Sequence, residues 1–220
     1  MTQTQERPAE GDTYLDVNAH FTRMAKGYND GCEKVNWQGP IAVFAALQAE
    51  IEKRQSQISR VLDLGAGTGQ LADLFKEHGT GVHITALEYA DGMYAELKNN
   101  PNVDTALQGD ARNLSWSKND QYDVATCSGV LDFIENTQAF ANETSRVVKS
   151  GGLIVLTYEP QKSNRPGVKS YKHDTDTLIA QFRRSGTEIL DVIEHENAFT
   201  NFRTGDPVAN NVMVGLVHER

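Results

Sequence analysis

A glycine-rich turn preceded by an acidic residue carries the strongest chemical signal in this sequence. Residues 61–69 form an apolar run that enters a turn containing Gly65, Gly67 and Gly69. Glycine has no Cβ and accepts positive φ, so such a turn lets a ligand approach the backbone closely. Asp63 lies at the end of the apolar run, where a buried carboxylate is costly unless it is paired. A cationic group on a ligand would pair it.

Two kinds of ligand compete for this turn. The dinucleotide fingerprint needs glycine at the first, third and sixth positions, so that a helix N-terminus meets a pyrophosphate. Counted from Gly65, the sixth position is Gln70. S-adenosylmethionine has no pyrophosphate, but it carries an ammonium and a carboxylate. An aspartate before a G-x-G-x-G turn therefore suits S-adenosylmethionine better.

Residues 61–69 resemble the first motif of the class I, Rossmann-like S-adenosylmethionine-dependent methyltransferases. In that family an acidic residue at the end of the second strand holds both ribose hydroxyls, and the resemblance assigns this role to Glu88, 19 positions after Gly69. Residues 108–111 resemble the motif whose carboxylate accepts from the adenine amino group and whose next backbone N–H meets the ring. Asp110 and Ala111 are thereby implied to hold the adenine.

Later segments extend the resemblance, which covers residues from about 14 to 217. Residues 122–133 are similar to the family's fourth strand and the segment where the reactive methyl faces the substrate, and residues 146–153 resemble the helix, turn and strand that follow. The resemblance implies S-adenosylmethionine as cofactor and S-adenosylhomocysteine as product. The cofactor-binding residues that we predict are Asp63, Gly65, Ala66, Gly67, Gly69, Glu88, Tyr89, Met93, Gly109, Asp110, Ala111, Cys127, Ser128, Gly129, Tyr28 and Trp37.

The N-terminal segment points to a small-molecule acceptor. Residues 21–29 resemble the F-x-x-x-A-x-x-Y-D segment of many small-molecule methyltransferases, in which the Tyr commonly lies over the cofactor. Residues 35–40 are similar to an Asn-Tyr-x-Gly-Pro segment in methyltransferase-like proteins of the Williams-Beuren region, with Trp37 in place of the usual Tyr. For Tyr28 and Trp37 the alternative role is packing inside an amphipathic cap.

Acceptors bind at the carboxyl edge of a parallel sheet, so the later loops supply the other candidates. Methyl transfer from a sulfonium is an in-line displacement, for which holding the reactants in alignment matters most. If the acceptor carries a proton on the attacking atom, a nearby side chain can accept it. We predict His173 and Tyr28 as catalytic residues, although His173 could instead order its loop. The predicted substrate-binding residues are Trp37, Leu131, Asp132, Glu159, Tyr171 and Arg203.

Other enzyme classes fit less well. An Asn/Asp-Pro-Pro-Tyr/Phe motif, typical of nucleobase or glutamine methylation, is replaced here by residues 127–130, Cys-Ser-Gly-Val. Asp132 and Glu135 lack an evident partner set for a catechol-type metal site, so we expect no metal. An aminopropyl transferase would want paired aspartates after the fourth strand, where Asp132 stands alone. A non-catalytic module that binds S-adenosylmethionine and regulates a partner remains an alternative.

The elements that must position these residues follow from the alternation of apolar runs and amphipathic stretches after residue 60, which predicts a parallel sheet flanked by helices. Strands are predicted at 61–64, 82–87, 103–108, 122–127, 153–158, 189–194 and 211–217, and helices at 69–77, 91–99, 137–148 and 175–185. The last two strands are joined too closely for a helical crossover, so they must pair antiparallel. We expect an α/β, three-layer Rossmann-like sandwich whose mostly parallel, seven-stranded sheet has an antiparallel last strand.

The chain of 220 residues suits one domain, comprising a tail at 1–12, a helical cap at 13–55 and a core at 60–217. Within the cap, apolar periodicity covers 14–28 and 41–52, with a predicted loop at 29–40. The net charge of −9 argues against nucleic acid as a partner. No apolar run is long enough for a membrane span, and no signal peptide is evident. We expect a cytoplasmic monomer or homodimer with reduced cysteines.

Overall fold

The fold is built on one seven-stranded sheet. The computed structural model describes residues 16–160, 168–201 and 205–218. The strands, in chain order, are β1 Arg60–Leu64, β2 His83–Glu88, β3 Thr105–Gln108, β4 Tyr122–Cys127, β5 Val148–Tyr158, β6 Thr187–Thr200 and β7 Pro207–Val217. Their order across the sheet is β3-β2-β1-β4-β5-β7-β6. The first five strands pair in parallel, and β7 pairs antiparallel with both β5 and β6.

Helices cover the two faces of this sheet. In chain order they are α1 Val17–Met24, α2 Tyr28–Lys34, α3 Gly39–Arg54, α4 Gln70–Glu77, α5 Asp91–Leu97, α6 Gln138–Val147 and α7 Thr175–Arg184, with short 3₁₀ turns at Ala25–Gly27 and Leu131–Phe133. One apolar cluster joins α3 and α4 to the sheet through Phe44 and Phe75, and another joins α6 and α7 through Phe140 and Phe182. The result is the three-layer α/β sandwich expected of the sequence.

The central strands form because their residues are apolar on both faces, as a strand covered by helices on each side requires. Val61, Leu62 and Leu64 of β1 are fully buried. Their parallel register sets Asp63 beside Thr126 of β4. Helix starts follow local capping rules: the side chains of Asp16 and Asp174 each accept a hydrogen bond from a backbone N–H three residues later, at 2.9 Å.

Two sequence-based details needed correction. The predicted loop at 29–40 is wrong over much of its length, since α2 runs through Lys34 and α3 already begins at Gly39. The α2 segment has no apolar stripe and contains Gly31, so periodicity could not reveal it, while Pro40 occupies the favourable first turn of α3. The last two strands are also longer than predicted, because their pairing continues nearly to the connecting turn. Within the part of the chain that the structure describes, no helix is long and apolar enough to cross a membrane.

Candidate cofactor and acceptor site

A cavity of about 740 Å³ opens at the carboxyl ends of the parallel strands. Its walls come from the segments after β1, β2, β3 and β4, from the cap, from residues 168–171, and from the tip of the β6–β7 hairpin. Ligand sites in proteins commonly measure about 300–1,000 Å³. The cavity therefore has the size and the place in the fold of a small-molecule site.

The glycine-rich turn forms one wall of this cavity. Gly65, Gly67 and Gly69 all have positive φ, between 60° and 94°. A Cβ on residue 65 would lie 2.1 Å from Cγ2 of Val130, so the close approach of these two segments requires glycine. The backbone N–H groups of Gly65 and Ala66 both donate to the carbonyl oxygen of Leu87, at 2.8 and 3.0 Å. These bonds hold the turn against the end of β2.

Glu88 links the end of β2 to the glycine-rich turn. One carboxylate oxygen accepts from the N–H of Gly67 and the other from the N–H of Ala90, each at 2.8 Å. Burial raises the pKa of Glu88, and these two backbone donors oppose that rise. The carboxylate lines the cavity in a fixed orientation, and its oxygens retain further lone pairs for a ligand.

Asp63 lies at the floor of the site, almost wholly buried. The hydroxyl of Thr126 donates to its Oδ1 at 3.0 Å. Burial raises the pKa of Asp63 to about 7, the Thr126 bond opposes the shift, and the charge of Glu88 adds to it. Asp63 lines a small recess of about 30 Å³ together with Tyr28, Gln70 and Ser128. The buried Oγ of Ser128 has no hydrogen-bond partner among the described residues. This recess therefore contains a buried carboxylate with a raised pKa and a hydroxyl that lacks a hydrogen-bond partner among the described residues.

Asp110 differs from its predicted setting. Its carboxylate is held by Arg112, whose Nε lies 2.9 and 3.0 Å from the two oxygens and whose backbone N–H donates at 2.8 Å. Burial would raise the pKa of Asp110, but the bonds from Arg112 lower it overall. Asp110 lines the cavity as one half of an ion pair, a pairing that the sequence analysis did not anticipate.

Several polar contacts hold the cap against the start of α5 and the glycine-rich turn. Asn18 and Thr22 of α1 accept hydrogen bonds from the backbone N–H groups of Asp91 and Gly92 at the start of α5, at 3.0 and 2.9 Å. The side chain of Asn29 accepts from the hydroxyl of Thr68 at 2.6 Å. Tyr28 reaches the turn itself, because a Cβ on residue 67 would lie 3.6 Å from its ring.

The Trp37 side chain lies between Gly39 of the cap and Gly129 in the segment after β4. A Cβ on Gly39 would lie 2.1 Å from its Cζ2, and one on Gly129 would lie 3.0 Å from the same atom. Its ring meets that of Phe199 edge-on, with centroids 5.8 Å apart. Trp37 and Tyr28 line both the cavity and the small recess, as do Gly65, Gly67 and Ser128, so the two spaces share a wall.

The structure does not bring every predicted residue to the cavity. Leu131, Asp132 and Glu159 are completely or almost completely buried behind its wall, where Asp132 Oδ1 accepts from the N–H of Glu159 at 3.0 Å. Cys127 is also buried behind the wall, and Gly69 is the N-cap residue of α4. Asp63 and Ala66 line the recess instead. Tyr171 does line the cavity. Arg203 lies outside the described residues.

His173 is the clearest departure from the predicted catalytic set. It does not line the cavity, and its Nε2 lies 2.7 Å from the carbonyl oxygen of Leu131, to which it donates. Burial lowers the pKa of His173, and that hydrogen bond opposes the shift. A neutral imidazole that donates to a backbone carbonyl anchors its loop, so this geometry does not support His173 as the base.

Several lining residues were not predicted as site residues. They include His20, Phe21 and Met24 from the cap, Phe133 and Ile134 from the segment after β4, and Arg112, Val168, Lys169, Phe199 and Thr200. Periodicity marked the cap residues as apolar but could not say which surface they would cover. Among the described residues no cluster of three His, Cys, Asp or Glu side chains could hold a metal ion.

Comparisons with known proteins agree with this geometry. Residues 62–156 match the family described as methyltransferase domain. The malonyl-[acyl-carrier protein] O-methyltransferase of Acetivibrio thermocellus is 28% identical over 145 residues, 64% of this chain and 48% of that protein. The demethylmenaquinone methyltransferase of Leptospira interrogans is 27% identical over 163 residues, covering 70% of this chain and 64% of that protein. The chain thus spans about half to two thirds of the length of these relatives.

Solved structures share the fold. A putative methyltransferase in complex with the Haloferax volcanii Trm112 methyltransferase activator has a TM-score of 0.69 at 15% identity, over 94% of this chain and 100% of that one. A possible histamine N-methyltransferase from Thermotoga maritima has a TM-score of 0.64 at 17% identity, over 90% and 98%. These structures show that the chain has a Rossmann-like fold. Residues 62–156, within that fold, are similar to the methyltransferase domain.

The residues present fit S-adenosylmethionine, the cofactor that this family and fold imply. The recess offers the Asp63 carboxylate and the unsatisfied Ser128 hydroxyl to the charged amino-acid end of such a molecule. Glu88 presents a carboxylate with fixed orientation at the tip of the second strand. The exposed ring of Tyr89 and the buried Met93 supply apolar surface for a base beside Gly109.

Proposed function

We propose that the protein transfers a methyl group from S-adenosylmethionine to a small-molecule acceptor. The observation that carries this proposal is the continuity of the cavity, which joins the carboxylates and glycines of the cofactor half to an apolar region walled by the cap, residues 168–171 and the hairpin tip. An enzyme that aligns two reactants needs both spaces in contact. The curated relatives named as acting on an acyl carrier protein conjugate and in ubiquinone biosynthesis are O-methyltransferases, which favours an oxygen acceptor.

The cofactor, when bound, supplies a methyl group activated by the positive charge on its sulfur. Glu88 is proposed to accept hydrogen bonds from both ribose hydroxyls while its backbone contacts keep it in place. Ionised Asp63 would pair the ammonium of the amino-acid end, directly or through a water. Gly65 and Gly67 let the ligand approach the backbone, and Tyr28 and Trp37 exclude water above it.

Asp110 is proposed to retain its adenine role in a modified form. While Arg112 neutralises the carboxylate, a lone pair can still accept from the exocyclic amine. The planar guanidinium beside it also offers a stacking surface to a base. Ala111 follows in the buried wall, where its backbone lies next to the same space.

The proposal extends to the class of the acceptor and to the residues that contact it. A net charge of −9 disfavours a nucleic acid as the acceptor. The predicted substrate-binding residues that meet the cavity are Trp37 and Tyr171, and we propose that both contact the acceptor. Among the groups that line the cavity, Tyr28 and His20 are placed to take a proton from a hydroxyl acceptor.

Calorimetry with S-adenosylhomocysteine tests the cofactor assignment. Glu88→Ala is expected to weaken binding by about 2 to 4 kcal/mol, the size of lost charged hydrogen bonds in a partly dry site. Glu96→Ala, an exposed glutamate on the neighbouring α5, is the matched control and should bind as the wild type does. Equal affinity of both variants would exclude Glu88 as the ribose ligand.

Isotope transfer then separates an enzyme from a binding module. The protein is incubated with a metabolite extract and methyl-labelled S-adenosylmethionine, and labelled products are identified by mass spectrometry. One labelled product, absent with Glu88→Ala, is the expected result. Cofactor binding without any labelled product would instead support a regulatory module, and labelled aminopropyl products would support an aminopropyl transferase.

A further inference from the structure

The sheet order divides the cavity into two halves. Most residues proposed to hold the cofactor lie at the ends of β1, β2 and β3, on one side of the sheet, and Ser128 after β4 marks the boundary. The remaining walls come from the later part of the segment after β4, the segment after β5 and the β6–β7 hairpin. The cap crosses both. We call the second side the acceptor half, bounded by the cap, residues 133–134, residues 168–171 and residues 199–201.

The acceptor half is lined mainly by carbon. Its apolar side chains are Phe21, Met24, Phe133, Ile134, Val168 and Phe199. Two aromatic pairs stand in it edge-on: the rings of Phe21 and Phe133 have centroids 5.1 Å apart at 83°, and those of Trp37 and Phe199 have centroids 5.8 Å apart at 67°. Edge-on packing leaves ring faces available to a third ring.

Charged groups are distributed unevenly along the cavity. Glu88, Asp110 and Arg112 belong to the cofactor half. In the acceptor half, Lys169 has its Nζ 5.0 Å from the centre of the Tyr171 ring. The other polar side chains at the wall of this half are Asp16, His20, Thr200 and Asn201. A polyol in this half would leave several hydroxyls facing carbon, and each unsatisfied polar group costs free energy. The lining therefore selects against polyhydroxylated acceptors.

The tip of the β6–β7 hairpin is fixed by the cap rather than by the sheet alone. The β6–β7 register shifts between His195 and Phe199, so the regular ladder is interrupted just before the tip. At this irregularity the cap supplies two backbone hydrogen bonds to the hairpin. The N–H of Gln38 donates to the carbonyl of Ala198 at 2.8 Å, and the N–H of Thr200 donates to the carbonyl of Val35 at 2.6 Å. These bonds flank Phe199 on both sides and present its side chain to the cavity.

We propose that the acceptor is a planar, mainly apolar ring compound that binds against the two aromatic pairs of the acceptor half, and that Phe199 determines which acceptors fit. This inference rests on the proposed methyl transfer, because the acceptor half is defined relative to the cofactor. A flat ring gains both apolar burial and edge-to-face contacts with the lining rings. Phe199 acts here by shape and contact and takes no part in proton transfer.

Binding to the protein saturated with S-adenosylhomocysteine tests the inference. The probes are 2-naphthol, cyclohexanol and myo-inositol, measured by calorimetry or by saturation-transfer nuclear magnetic resonance. We expect 2-naphthol to bind most tightly and myo-inositol not to bind. Phe199→Ala should weaken 2-naphthol binding about fivefold to twentyfold, since it removes both buried apolar area and an edge-to-face contact.

Controls separate this inference from folding and from the proposed function. Ile193→Ala, an exposed position on the same strand that does not line the cavity, should leave 2-naphthol binding unchanged. Phe199→Leu keeps an apolar side chain and should fold as the wild type does, yet it should lower the preference for 2-naphthol over cyclohexanol. Both Phe199 variants should retain the affinity for S-adenosylhomocysteine.

The failures are distinguishable. If the wild type does not bind S-adenosylhomocysteine, the proposed function fails. If S-adenosylhomocysteine binds but 2-naphthol does not, or myo-inositol binds as well as 2-naphthol, the proposed acceptor class is wrong. If both Phe199 variants bind 2-naphthol with wild-type affinity, Phe199 does not determine specificity.

Discussion

Asp63 and Glu88 show how two carboxylates in one site are held in different states by their surroundings. Glu88 receives two backbone N–H bonds that offset part of its burial, whereas Asp63 receives a single bond from a neutral hydroxyl. Burial therefore raises the pKa of Asp63 to about 7. Near neutral pH this group changes charge, and a cationic ligand would favour its ionised form.

The raised pKa of Asp63 predicts how stability depends on pH. Between its unfolded pKa near 3.8 and its folded pKa of about 7, the native state binds the extra proton, so the free energy of unfolding falls as pH rises through this window. Asp63→Asn removes the ionisable group and keeps an acceptor for Thr126. The variant should therefore gain stability relative to the wild type between pH 5 and pH 8, measured by thermal unfolding of ligand-free protein.

Asp123 supplies a control of opposite sign. Burial would raise the pKa of Asp123, but hydrogen bonds from Lys149, Ser59 and Arg60 lower it to about 2. Ionised Asp123 therefore adds to the free energy of unfolding above its unfolded pKa, and this stabilisation is lost as pH falls through about 2. Asp123→Asn should therefore lose stability at pH 8. If Asp63→Asn lost stability at pH 8 as Asp123→Asn is expected to do, the raised pKa of Asp63 would be contradicted.

His173 is expected to act on stability rather than on the site. Its bond to the buried backbone carbonyl of Leu131 helps to anchor the segment on which Tyr171 lines the cavity. His173→Ala removes this bond, while the N–H of Ile134 still donates to the same carbonyl at 2.9 Å. The variant should therefore cost about 0.5 to 1.5 kcal/mol in chemical denaturation. The affinity for S-adenosylhomocysteine should stay within twofold of wild type, roughly within 0.4 kcal/mol.

The exposed His218 provides the comparison for His173. His218 lies near the end of β7, with more than half of its side chain accessible. His218→Ala should change the free energy of unfolding by less than about 0.5 kcal/mol. Unchanged stability of His173→Ala would mean that the Leu131 bond contributes nothing and would reopen a catalytic role for His173.

At the scale of elements, the cap has two parts of unequal burial. Helices α1 and α2 contain no fully buried residue, and side-chain hydrogen bonds hold them to α5 and to the glycine-rich turn. Helix α3 instead buries Val43, Phe44 and Leu47 against the sheet. Segments with few buried apolar contacts open at low free energy. The cap can thus be mobile at its N-terminal part while α3 remains fixed.

Hydrogen exchange tests this division. Amides of residues 17–34 should exchange quickly in ligand-free protein and become protected when S-adenosylhomocysteine is added, because the proposed cofactor site lies beneath Tyr28 and Trp37. Amides in the middle of α3 should be protected in both states and serve as the internal control. Equal protection of residues 17–34 with and without ligand would mean that the cap is a fixed part of the fold.

At the scale of the whole molecule, a ligand that binds only the native state raises the free energy of unfolding. A ligand present at one hundred times its dissociation constant stabilises the native state by about 2.7 kcal/mol. In a domain of this size each kcal/mol raises Tm by about 2 to 4 °C, so S-adenosylhomocysteine should raise Tm by about 5 to 11 °C. Differential scanning fluorimetry provides the measurement. NAD is the control, and an equal shift with NAD would support the dinucleotide alternative for residues 65–70.

The fold class and the cofactor half could be predicted from the sequence because their determinants are local. Buried parallel strands are nearly continuous apolar runs, and Gly65, Gly67 and Gly69 are required by backbone conformation in a single turn. The interval between Gly69 and Glu88 is one helix and one strand, so the two must reach the same sheet edge. These runs, glycines and spacings involve residues that are close in the chain, so they can be recognised in the sequence.

Only the tertiary structure decided the acceptor half. Phe199 meets Trp37 across more than 160 positions in the chain, through backbone bonds between the cap and a hairpin tip that carry no sequence pattern. The location of β7 between β5 and β6 was likewise not predicted, and the sequence left open whether His173 met the acceptor or ordered its loop. Each depends on which side chains meet after the elements pack, and packing is a property of distant residues acting together.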